Sequence, residues 1–339
     1  MILYDPTERM GFFEFGIQIP IYDTKTSNTF NELLRDPLLA DRIEEWHLDR
    51  VDETLTREDL QRVHSRDYVD RLFSDSLEEE IIRTYELIDD LGHYYRYNPD
   101  EATQPLARLF DRILKRVAGT TQCCRVALEK GFCFYFGGGM HHAQYDGGNG
   151  FCLLNDIVIG LRKLQAEQTI QNAWVIDVDA HKGDGTAALT VDDETIRTLS
   201  VHMAHGWPLD GDPLDADGRP NPSFIPSDID LPIAAGEETT YNRRLREGLH
   251  QLDALSQPDI AIVVSGADPY EGDALPSTQP LRLSRIQLLE RDQTIYRFLE
   301  KRRIPQASLM AGGYGPQVWE IYAGFLSWVL RERLNRRDC

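Results

Sequence analysis

Asp177, Asp179 and His181 recur at every second position directly after the apolar run Ala173-Trp174-Val175-Ile176. On an extended chain that spacing puts all three side chains on one face. Carboxylate oxygens mixed with an imidazole nitrogen suit Zn2+ or Fe2+ in a catalytic site, where three protein ligands leave a position open for water. Solvated turn residues produce the same pattern, so the motif needs support from elsewhere in the chain. Asp268 supplies it: this carboxylate follows Gly266-Ala267 at the end of Ile260-Ala261-Ile262-Val263-Val264, in surroundings too apolar for an unpartnered charge.

His141 and His142 are adjacent, so an extended chain would point them to opposite sides, and they cannot chelate one ion as an i, i+4 pair would. They fit better as neighbouring acid/base groups, each needing a carboxylate to fix its tautomer, with Asp177 and Asp184 available. A loop histidine pair can be a mere capping feature, but Gly137-Gly138-Gly139 before this one implies close backbone approach. Tyr314, set between Gly312-Gly313 and Gly315, could swing its phenol toward a substrate carbonyl and donate to the developing oxyanion; the bland alternative is a packed aromatic. His64, His202, His205 and His250 have no partner evident in the sequence and read as structural.

These residues need a scaffold that brings distant segments together. From residue 132 onward, short apolar runs each end in Gly, His or Asp: Phe132 to Phe136 before the glycines and His141, Ala173 to Ile176 before Asp177, Ile260 to Val264 before Asp268, and Ala307 to Met310 before Tyr314. A fifth run, Thr195 to Val201, leads to His202 and His205. The alternation predicts βα units and an α/β fold whose parallel strands bring their carboxyl ends to one crevice. Leu106, Leu109, Phe110, Ile113 and Val117 predict a core-facing helix within Pro105–Leu128. Residues 27–90 are charge-rich with helical spacing, as in Leu55, Leu60, Val63, Tyr68, Val69 and Leu72, and no Gly-rich linker sets them apart, so they read as surface helices of the same domain. Residues 207–230 read as a Pro/Asp-rich surface loop.

Composition narrows the class. With 41% hydrophobic and 27% charged residues, the chain is globular rather than disordered or fibrous. A net charge of −20 disfavours nucleic acid and anionic membrane surfaces and would attract basic substrates, although solubility alone also explains it. The segment Met1–Gly16 carries Asp5, Glu8 and Glu14 and does not read as a signal peptide, and no run approaches ~18 apolar residues, so a cytoplasmic location is expected. The cysteines Cys123, Cys124, Cys133, Cys152 and Cys339 form no C-x-x-C pair and read as buried thiols.

Taken in order, the motifs resemble the histone deacetylase family of zinc-dependent lysine deacylases, which share the arginase/deacetylase fold. The resemblance runs from Leu60-Gln61-Arg62-Val63-His64-Ser65-Arg66-Asp67-Tyr68-Val69 through Gly137 to Ala143, Gly150 to Asp156, Asp177 to Gly185 and Gly266-Ala267-Asp268 to Gly312-Gly313-Tyr314-Gly315. It implies a single three-layer αβα domain over residues 1–339 with a central, mostly parallel sheet. The implied activity is removal of acetyl or other acyl groups from the ε-amine of lysine in peptides or proteins, with Zn2+ or Fe2+ as cofactor. Asp179, His181 and Asp268 would then hold the metal, while His141 and His142, partnered by Asp177 and Asp184 respectively, act on the bound water and the leaving amine. Tyr314 would bind the oxyanion. Phe151 is similar to one wall of the family's acyl-lysine tunnel and Trp207 to the other, with Gly150 and Gly313 also against the substrate and Met140 at the tunnel foot. The resemblance also implies a structural K+ held by Ser200 with Asp177, Asp179, His181 and Val201.

Three departures bear on substrate choice. Lys182 stands where many family members have a second histidine, and its charge so near the cluster would perturb neighbouring titrations. Met140 is adaptable enough to admit acyl groups larger than acetyl. The family's proline-rich first-loop motif is not recognisable in Ile17–Asn31. An arginase-like two-metal hydrolase would need a carboxylate where Gly266 stands. An acylated polyamine is the rival substrate, since an acidic surface attracts polycations equally well. A non-catalytic acyl-ligand module would be missing a ligand or the oxyanion donor, and no such position is vacant.

Overall fold

The structure, a computed structural model, describes residues 1–89, 91–214 and 218–337. Eight strands form one sheet: β1 (Ile2–Leu3), β2 (His47–Leu48), β3 (Phe132–Tyr135), β4 (Ala173–Asp177), β5 (Ile196–Met203), β6 (Ile229–Ile233), β7 (Ile260–Ser265) and β8 (Gln306–Met310). Their order is β2-β1-β3-β8-β7-β4-β5-β6, and every neighbouring pair is parallel, so the expected mostly parallel sheet is parallel throughout. The four strands that end in chemistry-bearing clusters, β3, β8, β7 and β4, are consecutive in that order. Their carboxyl ends therefore open on one edge.

Alternation along each strand divides the core into two layers. Phe132, Phe134, Trp174, Ile176, Ala261 and Val263 face one side, packed with the helices Tyr241–Leu255, Arg285–Arg302 and Trp319–Arg337. Cys133, Tyr135, Val175, Ile262, Val264 and Leu309 face the other, against Leu109–Lys130 and Asp156–Ala166. The sheet with helices on both faces is a three-layer α/β domain. The helix foreseen within Pro105–Leu128 starts at Leu109 after a 3-10 turn, Leu106–Arg108, and ends at Gly131, whose φ of 81° gives it a left-handed cap.

Three features depart from expectation. β1 and β2 have two residues each, too few to show any periodicity. β6 begins inside the predicted 207–230 loop; it is one of the two edge strands and carries an exposed Pro232, a residue tolerated only where no neighbour needs its N–H. The short helices of residues 27–90 are less superficial than predicted, because Leu60, Val63, Tyr68, Val69 and Leu72 are buried in a third cluster with Met140, Ala143 and Cys152 to Leu154. Cys123, Cys124, Cys133 and Cys152 are free and buried, and Cys339 lies outside the described residues. Among the described residues, no helix is long and apolar enough to cross a membrane.

Candidate metal centre and active site

Past its last residue, β4 turns through a series of side-chain-to-backbone bonds. The Asp179 N–H donates to Asp177 Oδ1 at 3.1 Å and the His181 N–H to Asp179 Oδ1 at 3.1 Å. Each carboxylate thus holds the peptide two residues on, and the chain leaves the extended path without exposing donors. β7 ends three residues before Asp268, whose Oδ1 accepts from the Ala180 N–H at 3.1 Å. The turns interlock so closely that a Cβ on Gly266 would meet Asp268 Oδ1 at 2.6 Å and collide with Asp179. No side chain, and hence no second-metal carboxylate, fits there.

Asp179, His181 and Asp268 offer ligand atoms that all lie within 4.8 Å of one another, and all three residues are buried. His181 Nδ1 stands 3.3 Å from Asp179 Oδ1 and 3.2 Å from Asp268 Oδ2. On its other side, His181 Nε2 faces Ser277 Oγ at 3.1 Å, so a proton donated there leaves the Nδ1 lone pair aimed at the cluster. Asp268 Oδ2 is buried with no hydrogen-bond partner. Burial, and then the charge of Asp179, push the Asp268 carboxyl up to about 7. Burial opposes charge on His181, but Asp179 and Asp268 outweigh it and raise its pKa to about 9. Two buried carboxylates thus draw a cation, and the oxygen, nitrogen and oxygen set with one orphaned lone pair fits a divalent transition metal.

The histidine pair departs from its predicted geometry. The chain is not extended at this point: the His141 N–H donates to Gly139 O at 3.0 Å, closing a tight turn that follows left-handed Gly138 and Gly139. The two rings therefore converge, with centroids 3.9 Å apart, instead of pointing to opposite sides. His141 Nδ1 lies 2.7 Å from Asp177 Oδ2, and His142 Nδ1 lies 2.6 Å from Asp184 Oδ1. Burial disfavours charge on both rings. In His141, Asp177 and Asp179 overcome it and lift the pKa to about 10. In His142, burial and the charge on His141 prevail over Asp184 and lower it to about 4. Adjacent imidazoles pulled in opposite directions are suited to an electrostatic role and a base role.

Further groups position the predicted residues, and of these Ser223 and Asp273 carry no signal in the sequence. Asp156, at the start of a core helix, accepts the Gly139 N–H at 3.0 Å and the Met140 N–H at 2.6 Å. Asp184 Oδ2 accepts from Gln144 at 2.9 Å, Asn149 at 3.3 Å and Ser223 Oγ at 2.9 Å, so the predicted surface loop reaches the site. Asp273 Oδ2 accepts the Tyr314 N–H at 2.7 Å. Ser200 sits opposite Asp177 in the β4–β5 register, beside Val201, and its hydroxyl lies 3.1 Å from His202 Nδ1. The charge of Lys182, expected to perturb neighbouring titrations, does so at His202 and Asp230. The Lys182 Nζ donates to Ile225 O at 2.6 Å and stands 3.7 Å from Asp230.

Two cavities meet at this cluster. A mouth is lined by Gly150, Phe151, Trp207, Leu275 and Ser277, with His142, His181 and Tyr314 at its base. Trp207 stands with its ring centroid 4.5 Å from that of His142 and 5.5 Å from that of His181. Phe151 lines the same mouth from a left-handed backbone, φ 64°, which costs a non-glycine residue about 1–2 kcal/mol. At the rim, Glu86 is ion-paired with Arg96, whose guanidinium lies over the Phe151 ring at 5.2 Å. Beside the cluster is a second cavity of about 110 Å3, lined by Met140, Gly313, Phe12, Ile21, Lys25 and Met310 among others. All the predicted lining residues thus border one or other cavity.

The chain matches the model of the histone deacetylase domain over residues 20–326. It is 30% identical over 216 residues to an uncharacterized protein of Picosynechococcus, covering 63% of this chain and 67% of that protein. It is 29% identical to histone deacetylase 2 of Arabidopsis thaliana, over 65% of this chain and 54% of the relative. Identity to human histone deacetylase 1 is 24%, over 76% of this chain and 50% of the relative. The matched region thus spans about half to two thirds of these relatives' lengths. With a domain match that takes in the whole cluster and both histidines, the chain belongs to the histone deacetylase family.

Proposed function

We propose that the chain is a metal-dependent amidohydrolase that removes acetyl or larger acyl groups from the ε-amine of lysine in peptides or proteins. The observation that carries this reading is that two cavities share His142, His181 and Tyr314, and that His181 belongs to the buried Asp179, His181 and Asp268 cluster. Asp179, His181 and Asp268 hold Zn2+ or Fe2+, which when bound polarises the amide carbonyl and a water molecule. His142, neutral and facing the mouth, accepts the proton of the attacking water and returns it to the lysine nitrogen as the C–N bond breaks. Asp184 fixes the ring and its tautomer by accepting a hydrogen bond from Nδ1–H. His141, cationic against Asp177, contributes positive charge beside the reacting carbonyl. Burial raises the Tyr314 phenol well above its usual range, so it stays protonated and donates to the oxyanion. The products are the free amine and the acyl carboxylate.

Gly150, Phe151 and Trp207 flank the lysine stem in the mouth, while Met140 and Gly313 border the chamber that receives the acyl end. The adaptable Met140 side chain on its wall supports acyl groups beyond acetyl. Ser200, with Asp177, Asp179, His181 and Val201, is the candidate holder of a structural K+.

An acylated polyamine is the second reading, favoured by the net charge of −20. The rim weighs against it: of the described residues lining the mouth, the carboxylate is that of Glu86, already paired with Arg96. The free ammonium of such a substrate would find no unpaired anion among these residues. Metal analysis of the purified protein, combined with turnover on acyl-lysine peptides and on N-acetylputrescine, tests both readings. Absence of transition metal defeats the mechanism, and turnover of the polyamine alone defeats the lysine assignment.

A further inference from the structure

Arg291 belongs to none of the groups that would touch substrate or metal, yet it is fully buried in the helix Arg285–Arg302. A buried guanidinium costs several kcal/mol unless its charge and donors are answered, and here Nη2 is left without a partner, so the position is kept at a cost. Its Nε donates to Asp292 Oδ1 at 2.8 Å, which answers the charge. A pair that only neutralised itself would be replaceable by two apolar side chains. The other side of the guanidinium is more informative. Nη1 donates both to Val178 O at 3.0 Å and to Gly266 O at 2.8 Å.

Those two carbonyls sit where the sheet stops holding itself together. The β4–β7 register ends at Asp177 opposite Val264, and the last backbone bond runs from the Val178 N–H to Val264 O at 3.1 Å. Beyond it the two chains turn to present Asp179, one residue after Val178, and Asp268, two residues after Gly266. We infer that Arg291 is a positioning residue of the metal centre: a single nitrogen replaces the missing rung and fixes the separation of the turns that carry Asp179 and Asp268. The inference rests on the metal-centre reading above and adds a determinant of affinity on the far side of the ligand turns.

The test is Zn2+ affinity, measured by competition with a chromophoric chelator, alongside the melting temperature of each protein with and without metal. Arg291→Met is expected to weaken binding by roughly tenfold or more, in the range of other outer-shell losses. The metal-dependent rise in melting temperature should shrink with it. Because Arg291→Met strands a buried Asp292, the double variant Arg291→Met/Asp292→Asn is measured in parallel and should fold while still binding weakly. Arg291→Lys, which keeps the charge without the planar fork, should lose affinity by a smaller factor. Wild-type affinity in any folded variant overturns the inference. Failure of the unmodified protein to bind any divalent metal instead overturns the metal-centre reading, and the inference with it.

Discussion

The floor and the rim of the site are built in opposite ways. On the floor, residues from β3, β4, β7 and β8 interlock through short bonds: Asp177 to His141, Asp184 to His142, Asp156 to two backbone N–H groups and Asp273 to Tyr314. The rim rests on loops, with two facing aromatic side chains, Phe151 and Trp207, and the Glu86–Arg96 pair. Geometry so heavily determined suits bond breaking, where misplacement is costly. A rim with few fixed contacts suits selection among substrates, and there changes should alter preference more than rate.

That contrast can be broken by substitution. Asp268→Ala, or removal of metal by a chelator, is expected to take peptide deacylation below detection, and measurable turnover would detach the chemistry from the floor. Tyr314→Phe should lower kcat about 10²–10³-fold with KM little changed, as loss of an oxyanion donor does. Next comes the scaffold beneath the floor. His64 Nδ1 donates to Gln144 O at 2.8 Å, and Nε2 accepts the Asn155 N–H at 3.1 Å, so the buried ring is held neutral and its pKa is lowered by burial to about 4. The folded state then binds fewer protons than the unfolded chain, whose histidine titrates near 6.5. Stability from this group is complete above about pH 6.5 and lost as pH falls toward 4, by on the order of 3 kcal/mol. Melting temperatures between pH 7 and 4 should decline less steeply in His64→Gln than in the unmodified protein. The smallest effect belongs to the rim. Arg96→Ala frees Glu86 and should shift preference toward N-acetylputrescine over acetyllysine by no more than about fivefold, the scale of an exposed ion pair. A larger shift, or a collapse in kcat for both, would erase the distinction between floor and rim.

The floor was far more legible in the sequence than the structures that hold it. Asp179, His181, Asp268 and Tyr314 stand at the ends of apolar runs, where a strand-end cluster has a local signature. Their supports do not. Ser223 reaches Asp184 across 39 residues and Arg291 reaches Val178 across 113, and neither has a neighbour that marks it. Ser223 fell inside a stretch predicted as surface loop because Pro and Asp dominate it, while its bonding partners lie elsewhere in the chain. The convergence of His141 and His142 was hidden for a different reason. An extended chain would point adjacent side chains apart, but the left-handed glycines before the pair turn it. β1 and β2 were too short for alternation to register.

Asp156 has a consequence for motion. Its carboxylate gathers the Gly139 and Met140 N–H groups from the N-terminal turn of a helix that packs in the core, so the backbone leading into both histidines is fastened to the interior. Substrate arrival can rearrange the mouth while those two amide protons remain shielded. They are expected to exchange with deuterium only when the whole domain opens, long after the amides of residues 91–98 have done so.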